Sequence, residues 1–326
     1  MKKQPLVSVI VPCYNHEMFL DDCLMGIMNQ NYQNIELFIC DDNSSDNSFA
    51  KIKSYEGKLK ERFCNVVIQK NEKNLGVTKN INRMLEDATG EYIKLIASDD
   101  VMAEDAIYKM AQFMEENPKV DVIVANGVKI TEQQHYPNYE SKDKIYSEQP
   151  DFSKEGLFER TYIHNDIFAP GVMMRKRVYE KYGNYDESVA IEDLEFWLRI
   201  LKDEQTIFAY LDDILIYYRI NQNSMTSLFG NKGLEQRRKR FHKAEIQILD
   251  KYGKCVDSRI YAETKMYRIL CEKGIAVSNG LIELEEFVKK EYREFDLWNC
   301  ISMKKRIFFH YVSLRYSIKK IIVSFR

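Results

Sequence analysis

Four groups of side chains in this sequence could do chemistry, and oxygen donors dominate all of them. Asp99 and Asp100 stand side by side after the apolar run Glu91–Ala97. Adjacent carboxylates repel unless something positive lies between them. A hard divalent cation, Mn²⁺ or Mg²⁺, supplies that charge and keeps positions open for substrate phosphates. Asp21-Asp22, Asp41-Asp42 and Asp212-Asp213 are acidic pairs too, so the dipeptide alone says little; its place after a strand raises Asp99-Asp100 above Asp212-Asp213. Pro12-Cys13-Tyr14-Asn15 and Asp41-Asp42-Asn43-Ser44 follow apolar runs in the same way. Asp, Asn and Ser are ordinary turn and cap residues, and Asp46 is expected to be only a cap. Three such clusters at three strand ends are nevertheless more than loops require. Glu192-Asp193 opens a helical pattern, where acidic residues also simply favour the helix dipole.

The elements that must position these groups alternate. Strands are expected at Leu6–Pro12, Ile35–Cys40, Asn65–Gln69, Glu91–Ala97 and Val120–Ala125. Helices are expected at Glu17–Asn29, Asp46–Tyr55, Val77–Asp87 and Glu104–Glu116. The alternation predicts an α/β fold with a parallel sheet and right-handed crossovers. Continuously apolar strands predict helices on both faces. Ligands of such sheets gather at the carboxyl ends of the strands, where the polar clusters stand.

Thr131–Gln149 is polar and without clear period, so an irregular segment is expected there; either it or the loop after Thr226 is expected to be a mobile loop that keeps water from the site. The pattern after Thr226 is helical. The division expected is residues 1–227 as one α/β domain, in halves 1–126 and 127–227, followed by a helical region 228–326. In that region Ile301–Arg326 carries seven basic residues and no acidic one, with an apolar stripe from Ile307 to Phe325 at helical spacing. A basic amphipathic helix of this kind suits an anionic membrane surface, or else packs its stripe on the main domain.

The formal net charge of −2 gives no global reason to expect nucleic-acid binding. Seven cysteines without a C-x-x-C pair read as reduced thiols of a cytoplasmic protein. Lys2 and Lys3 before Leu6–Val11 imitate a signal peptide, but Pro12 ends the run early and no small-residue cleavage site follows. A dinucleotide dehydrogenase is rejected because the first strand lacks a G-x-G-x-x-G turn.

The motifs together resemble glycosyltransferase family 2, in that family's order. Val7–Asn15 resembles its opening strand, and Glu36–Asp46 its second strand and nucleotide-binding turn. Asn74–Asn80 resembles its third motif, Ser98-Asp99-Asp100 its D-x-D motif, and Ile191–Arg199 its E-D motif and catalytic helix. The resemblance implies a GT-A fold, a Rossmann-like nucleotide-binding sandwich, here with a C-terminal helical appendage. It implies an inverting transfer from a nucleoside diphosphate sugar, a UDP-sugar in the first instance, to a polysaccharide or lipid-linked oligosaccharide. Pro12, Tyr14 and Asn15 would line the nucleoside pocket, and Asp41 or Asp42 would meet the base. Lys79 would face phosphate, Asp99 the ribose or the metal, and Asp100 the metal. Asp193 would be the general base, with Glu192, Gly171 and Trp197 on the acceptor side. Trp197 could stack on an acceptor sugar or lie in the core, and Gly171 could admit an acceptor or make a turn.

Two positions depart from the family pattern. Lys79 stands where many relatives have Arg, and Asn221 where many have a metal-binding His. Asn221 keeps open a second reading, a catalytically inactive subunit that binds and activates a partner enzyme. The resemblance to capsule and cell-surface polysaccharide enzymes points to peripheral attachment at the inner face of the cell membrane.

Overall fold

The computed structural model describes residues 4–152, 156–221 and 232–258, with 260, 261, 264, 265 and 268. The loop after Thr226, the stripe at 301–326, Cys271 and Cys300 lie outside the described residues. The chain divides into two compact units, residues 1–188 with 192–227, and residues 189–191 with 228–326.

In the first unit the amino-terminal half alternates as its pattern predicts. The elements are β1 (Val7–Cys13), α1 (Leu20–Met28), β2 (Ile35–Asp41), α2 (Ser48–Arg62), β3 (Asn65–Lys70), α3 (Val77–Asp87), β4 (Tyr92–Leu95), the short β5 (Val101–Met102), α4 (Ala106–Glu116) and β6 (Val122–Thr131). There follow α5 (Leu157–His164), a 3₁₀ turn at Ala169–Gly171, β7 (Val172–Arg175), α6 (Lys176–Tyr182), α7 (Glu192–Leu201) and β8 (Phe208–Ile220).

One eight-stranded sheet runs β3-β2-β1-β4-β7-β6-β8-β5. The expectation of a parallel sheet holds for β3, β2, β1 and β4 and is corrected beyond them. β7 is antiparallel to both β4 and β6, and β5 is antiparallel to β8. The sheet is therefore mixed. The register Val7↔Ile35 and Val7↔Tyr92 carries the carboxyl ends of β1, β2 and β4 to one edge.

Period-2 alternation sorts the strand side chains between two cores. Val9, Val11, Leu37 and Ile39 join one buried cluster with α1, α2 and α4. Ile10, Phe38 and Cys40 join a second with α3 and α7. Each fully buried large aliphatic side chain contributes roughly 1.5–3 kcal/mol relative to exposure. Gly90 lets the chain cross this packing, since a Cβ there would lie 2.6–2.8 Å from Ser8 and the Leu6 carbonyl.

In the second unit, α8 (Lys232–Tyr252) buries Ala244, Ile248, Leu249 and Tyr252 along one side. Among the described residues, no helix is long and apolar enough to cross a membrane.

Candidate active site

The turns after β1 and β2 are zipped together. Asn15 takes left-handed backbone (φ 55°), which Asn tolerates. Its N–H donates to Ser44 Oγ at 2.8 Å, and its Oδ1 accepts from Ser45 N–H at 2.8 Å. Tyr14 beside it is exposed and Pro12 half-buried. Asp41 is buried and accepts Ser44 N–H on both oxygens. Asp42 is also buried and accepts from Asn71 Nδ2, Leu75 N–H and Gly76 N–H, each at 2.8 Å. That carboxylate fixes the turn that opens α3, where Gly76 has a φ of 86°. Lys79 follows in the first turn, half-exposed, 3.9 Å from Glu187. Asp46 stands one residue before the Asn47 cap of α2 and does more than the cap role expected of it: it accepts Ser48 N–H on one oxygen and Glu17 N–H on the other.

The acidic pair follows β4 on the same edge. Asp100 is 1 % exposed. Burial, and then the charge of Asp99, push its acid well above the ordinary carboxylate range, against the Arg219 backbone N–H and the Lys94 and Arg219 charges. Asp99 is more open, and its Oδ2 accepts from Asn221 Nδ2 at 2.9 Å. Asn221 thus faces the pair with its amide nitrogen in this structure. His16 Nδ1 lies 2.8 Å from Ser98 Oγ and 3.8 Å from Asp99 Oδ1.

Among the described residues no group of three or more His, Cys, Asp or Glu side chains is arranged to hold a metal ion. The two carboxylates nonetheless suit Mn²⁺ or Mg²⁺. They offer hard oxygens, and the raised Asp100 acid marks a charge that a cation would relieve. Such ions are commonly held by one or two carboxylates together with substrate phosphates.

Across the sheet, α7 brings Glu192 and Asp193 against α5. Asp193 Oδ1 accepts Leu194 N–H at 2.7 Å, and Asn165 Nδ2 lies 3.4 Å from its Oδ2. Asn165 ends α5 in left-handed backbone, with a buried Oδ1 that has no hydrogen-bond partner among the described residues. Burial, and then the charge of Asp193, raise the Glu192 acid to about 7. Asn82 of α3 bonds the Tyr185 backbone and Glu187, joining α3 to the stretch before Glu192.

Gly171 serves close packing: a Cβ there would sit 2.3 Å from the Ala125 carbonyl oxygen. Trp197 is a core residue, 1 % exposed and packed on Phe196 and Phe208, so stacking on a sugar is not open to it. Its burial follows from its place on the apolar side of α7.

Sequence reasoning missed several residues of the site: His16, Asp22, Asn71, Lys94, Asn165 and Arg219. Two of these carried a readable signal. Lys94 and Arg219 are lone cations in apolar strands, and fully buried Lys or Arg is rare unless paired. Lys94 Nζ donates to the carbonyls of Leu95, Pro170 and Val172, and burial pulls its ammonium down to about 7. It joins the strand that carries the acidic pair to the Gly171 turn.

Comparison with known proteins places this geometry. The family model described as "Glycosyl transferase family 2" matches residues 8–183. An uncharacterized glycosyltransferase of Haemophilus influenzae is 25% identical over 320 residues, 95% of this chain and 93% of the relative. TuaG of Bacillus subtilis, whose name proposes a teichuronic acid biosynthesis glycosyltransferase, is 29% identical over 69% of this chain and 82% of its own. Among solved structures, S. aureus TarS 1-349 in complex with UDP-GlcNAc superposes with a TM-score of 0.57 at 18% identity, covering 90% of this chain and 89% of that one. The mannosyltransferase PcManGT of Pyrobaculum calidifontis, in complex with GDP-Man and Mn²⁺, gives 0.57 at 13% identity, covering 98% and 87%. These likenesses establish the GT-A type of α/β fold, and the sequence match over more than half of its length establishes that this chain belongs to glycosyl transferase family 2.

Proposed function

We propose that this glycosyltransferase moves a sugar from a nucleoside diphosphate sugar, a UDP-sugar, to a polysaccharide or lipid-linked oligosaccharide, with inversion at the anomeric carbon. The observation that carries the reading is the convergence of three strand-end clusters, after the neighbouring strands β2, β1 and β4, on one sheet edge, the acidic pair following β4. The donors named for TarS and PcManGT, and the Mn²⁺ of the latter, support the same choice.

In this reading Pro12, Tyr14 and Asn15 line the nucleoside pocket, and Asp41 or Asp42 meets the base. Asp99 meets the ribose or the cation, and Lys79 faces phosphate as a point charge rather than a bidentate fork. Asp99 and Asp100 would hold a divalent cation, which stabilises negative charge on the departing diphosphate. Asp193 accepts the proton of the acceptor hydroxyl. That oxygen forms its bond to the anomeric carbon from the face opposite the diphosphate. The bond from carbon to diphosphate oxygen breaks, and the diphosphate keeps the electron pair. One general base suffices, because no covalent intermediate forms; hydrolysis of a glycoside would need two carboxylates flanking the bond.

The relatives and the intact acidic pair favour an enzyme over an inactive activating subunit. The chain acts in the cytoplasm, at the inner face of the membrane, with 301–326 as its basic contact. Sedimentation with anionic vesicles should weaken as salt rises, and should be lost from a form ending at Asn299. The function itself is tested with a panel of nucleotide sugars, reading free nucleotide released in the presence of Mn²⁺ and saccharide acceptors. Turnover of one UDP-sugar, abolished by a chelator, is the expected result. Full turnover in excess chelator, or none with any donor, would overturn it.

A further inference from the structure

We propose that Arg219 is a positioning residue that fixes Asp99 and Asp100 and ties them to α1 and the segment 131–136. The inference rests on the reading of the acidic pair as the cation and donor site.

Arg219 lies near the end of β8, and its side chain is fully buried. A guanidinium in that position is costly unless its donors are satisfied. Nε donates to the Asp99 carbonyl at 2.9 Å. Nη1 donates to the carbonyls of Thr131 and Gln134, both at 2.7 Å. Nη2 donates to Asp22 Oδ2 at 2.8 Å, and the guanidinium lies 5.0 Å from the Phe19 ring centroid.

The backbone of Arg219 acts too. β8 runs antiparallel to β5 with Val101 opposite Tyr217, which carries Arg219 back beside the acidic pair. Its N–H donates to Asp100 Oδ1 at 2.9 Å. One residue therefore holds the main chain of Asp99 and the side chain of Asp100. Two residues on, Asn221 holds Asp99 Oδ2.

An ion pair made only for stability would end at Asp22. Here Asp22 itself accepts from His135 Nδ1 and Tyr136 N–H, both at 2.9 Å. Tyr136 is held further by its hydroxyl on Glu104 and by Asn29. Helix α1, the turn after β4 and the segment 131–136 thus meet on one planar fork. Lysine cannot reproduce that geometry, because it offers a point charge on a flexible stem.

The test measures Mn²⁺ binding to the full chain by calorimetry in the presence of UDP, with no acceptor and no turnover. Thermal midpoints are recorded alongside. Arg219→Lys keeps the charge and loses the fork. Asp22→Asn keeps the shape and touches neither Asp99 nor Asp100. Each should weaken Mn²⁺ by about 10–100-fold, the range seen when partners that orient metal ligands are lost. Lower midpoints with unchanged Mn²⁺ affinity would show a merely structural role and overturn the inference. If both variants are too unstable to measure, His135→Ala decides. Its side chain is largely exposed, and removing its bond to Asp22 should weaken Mn²⁺ through the same Asp22–Arg219 link, by less than the roughly 10–100-fold expected of the other two variants; unchanged affinity overturns the inference. Absence of Mn²⁺ binding by the wild type would overturn the reading of the acidic pair, and the inference with it.

Discussion

Two buried carboxylates at opposite ends of the parallel strands, Glu36 and Asp100, are held in opposite ways. At the amino edge, Glu36 is 2 % exposed. It accepts from Ser8 Oγ, from Thr89 through both N–H and hydroxyl, and from Gly90 N–H. Uncharged donors surround a single charge. At the carboxyl edge, Asp100 is equally buried, yet its neighbour in sequence is a second carboxylate, and its acid is pushed far up. Glu36, a buried charge with matched neutral donors, belongs to the scaffold. Buried charge set against its own kind is a cost that a bound cation or ligand can remove.

That contrast can be broken from either side. The largest effect should come from Asp100→Ala: turnover should disappear while the thermal midpoint falls far less than for Glu36→Ala, because one buried backbone donor rather than four donors loses its acceptor. A midpoint that collapses would make Asp100 a scaffold residue like Glu36. Next comes Asp193→Asn, expected to lower kcat by about 10²–10⁴-fold, the usual contribution of a general base. UDP binding by calorimetry should be kept. Normal turnover in this variant would move the base elsewhere.

Glu36→Ala should do the opposite of both. It removes the acceptor of four donors, two of them in buried bonds, so denaturant unfolding should report a loss of about 3 kcal/mol. The folded protein should bind UDP as the wild type does.

The smallest effect concerns Glu192. Its folded acid, near 7, lies above the ordinary 4.5. Such a group favours the folded state when protonated. Its contribution is complete below about pH 4.5 and fades as pH rises through 7. Glu192→Gln should therefore leave stability unchanged at pH 4 and raise it at pH 8, on the order of 2 kcal/mol. Parallel stability curves for the two proteins would contradict this assignment.

Much of this scaffold was legible because strand runs and helical stripes are local signals. Val77–Asp87 matches α3 end to end. Helix α2 runs seven residues past its expected end at Tyr55, to Arg62. Its outer face is paired charge, with Glu56 between Lys53 and Lys60, so only Ile52 and Leu59 mark the buried side. The three strand-end clusters were legible for the same reason. What was not legible is pairing across distance. Nothing local to Asp22 foretells Arg219, and nothing around Asn165 foretells Asp193. The direction of β7 was hidden too, because a four-residue strand carries no mark of its orientation. The segment 131–149, expected to be irregular and one of two candidates for a mobile loop, is irregular but pinned to α1 through His135 and Tyr136 and to β6 through Val128 and Lys144.

The place of β7 between β4 and β6 also bears on how the sheet is assembled. Val7 finds Ile35 across one βα unit, whereas Lys94 must wait for Met173. Closing the longer loop costs about 1 kcal/mol more in chain entropy, before any contact offsets it. Early folding should thus favour β1, β2 and β3, and β7 should dock late. Truncating Val9 should slow folding, while truncating Met173 should mainly speed unfolding. On a ribosome the edge formed by β1, β2 and β3 would then take shape while β7 and β8 are still being made, leaving the unpaired flank of β4 as the surface most exposed to wrong partners.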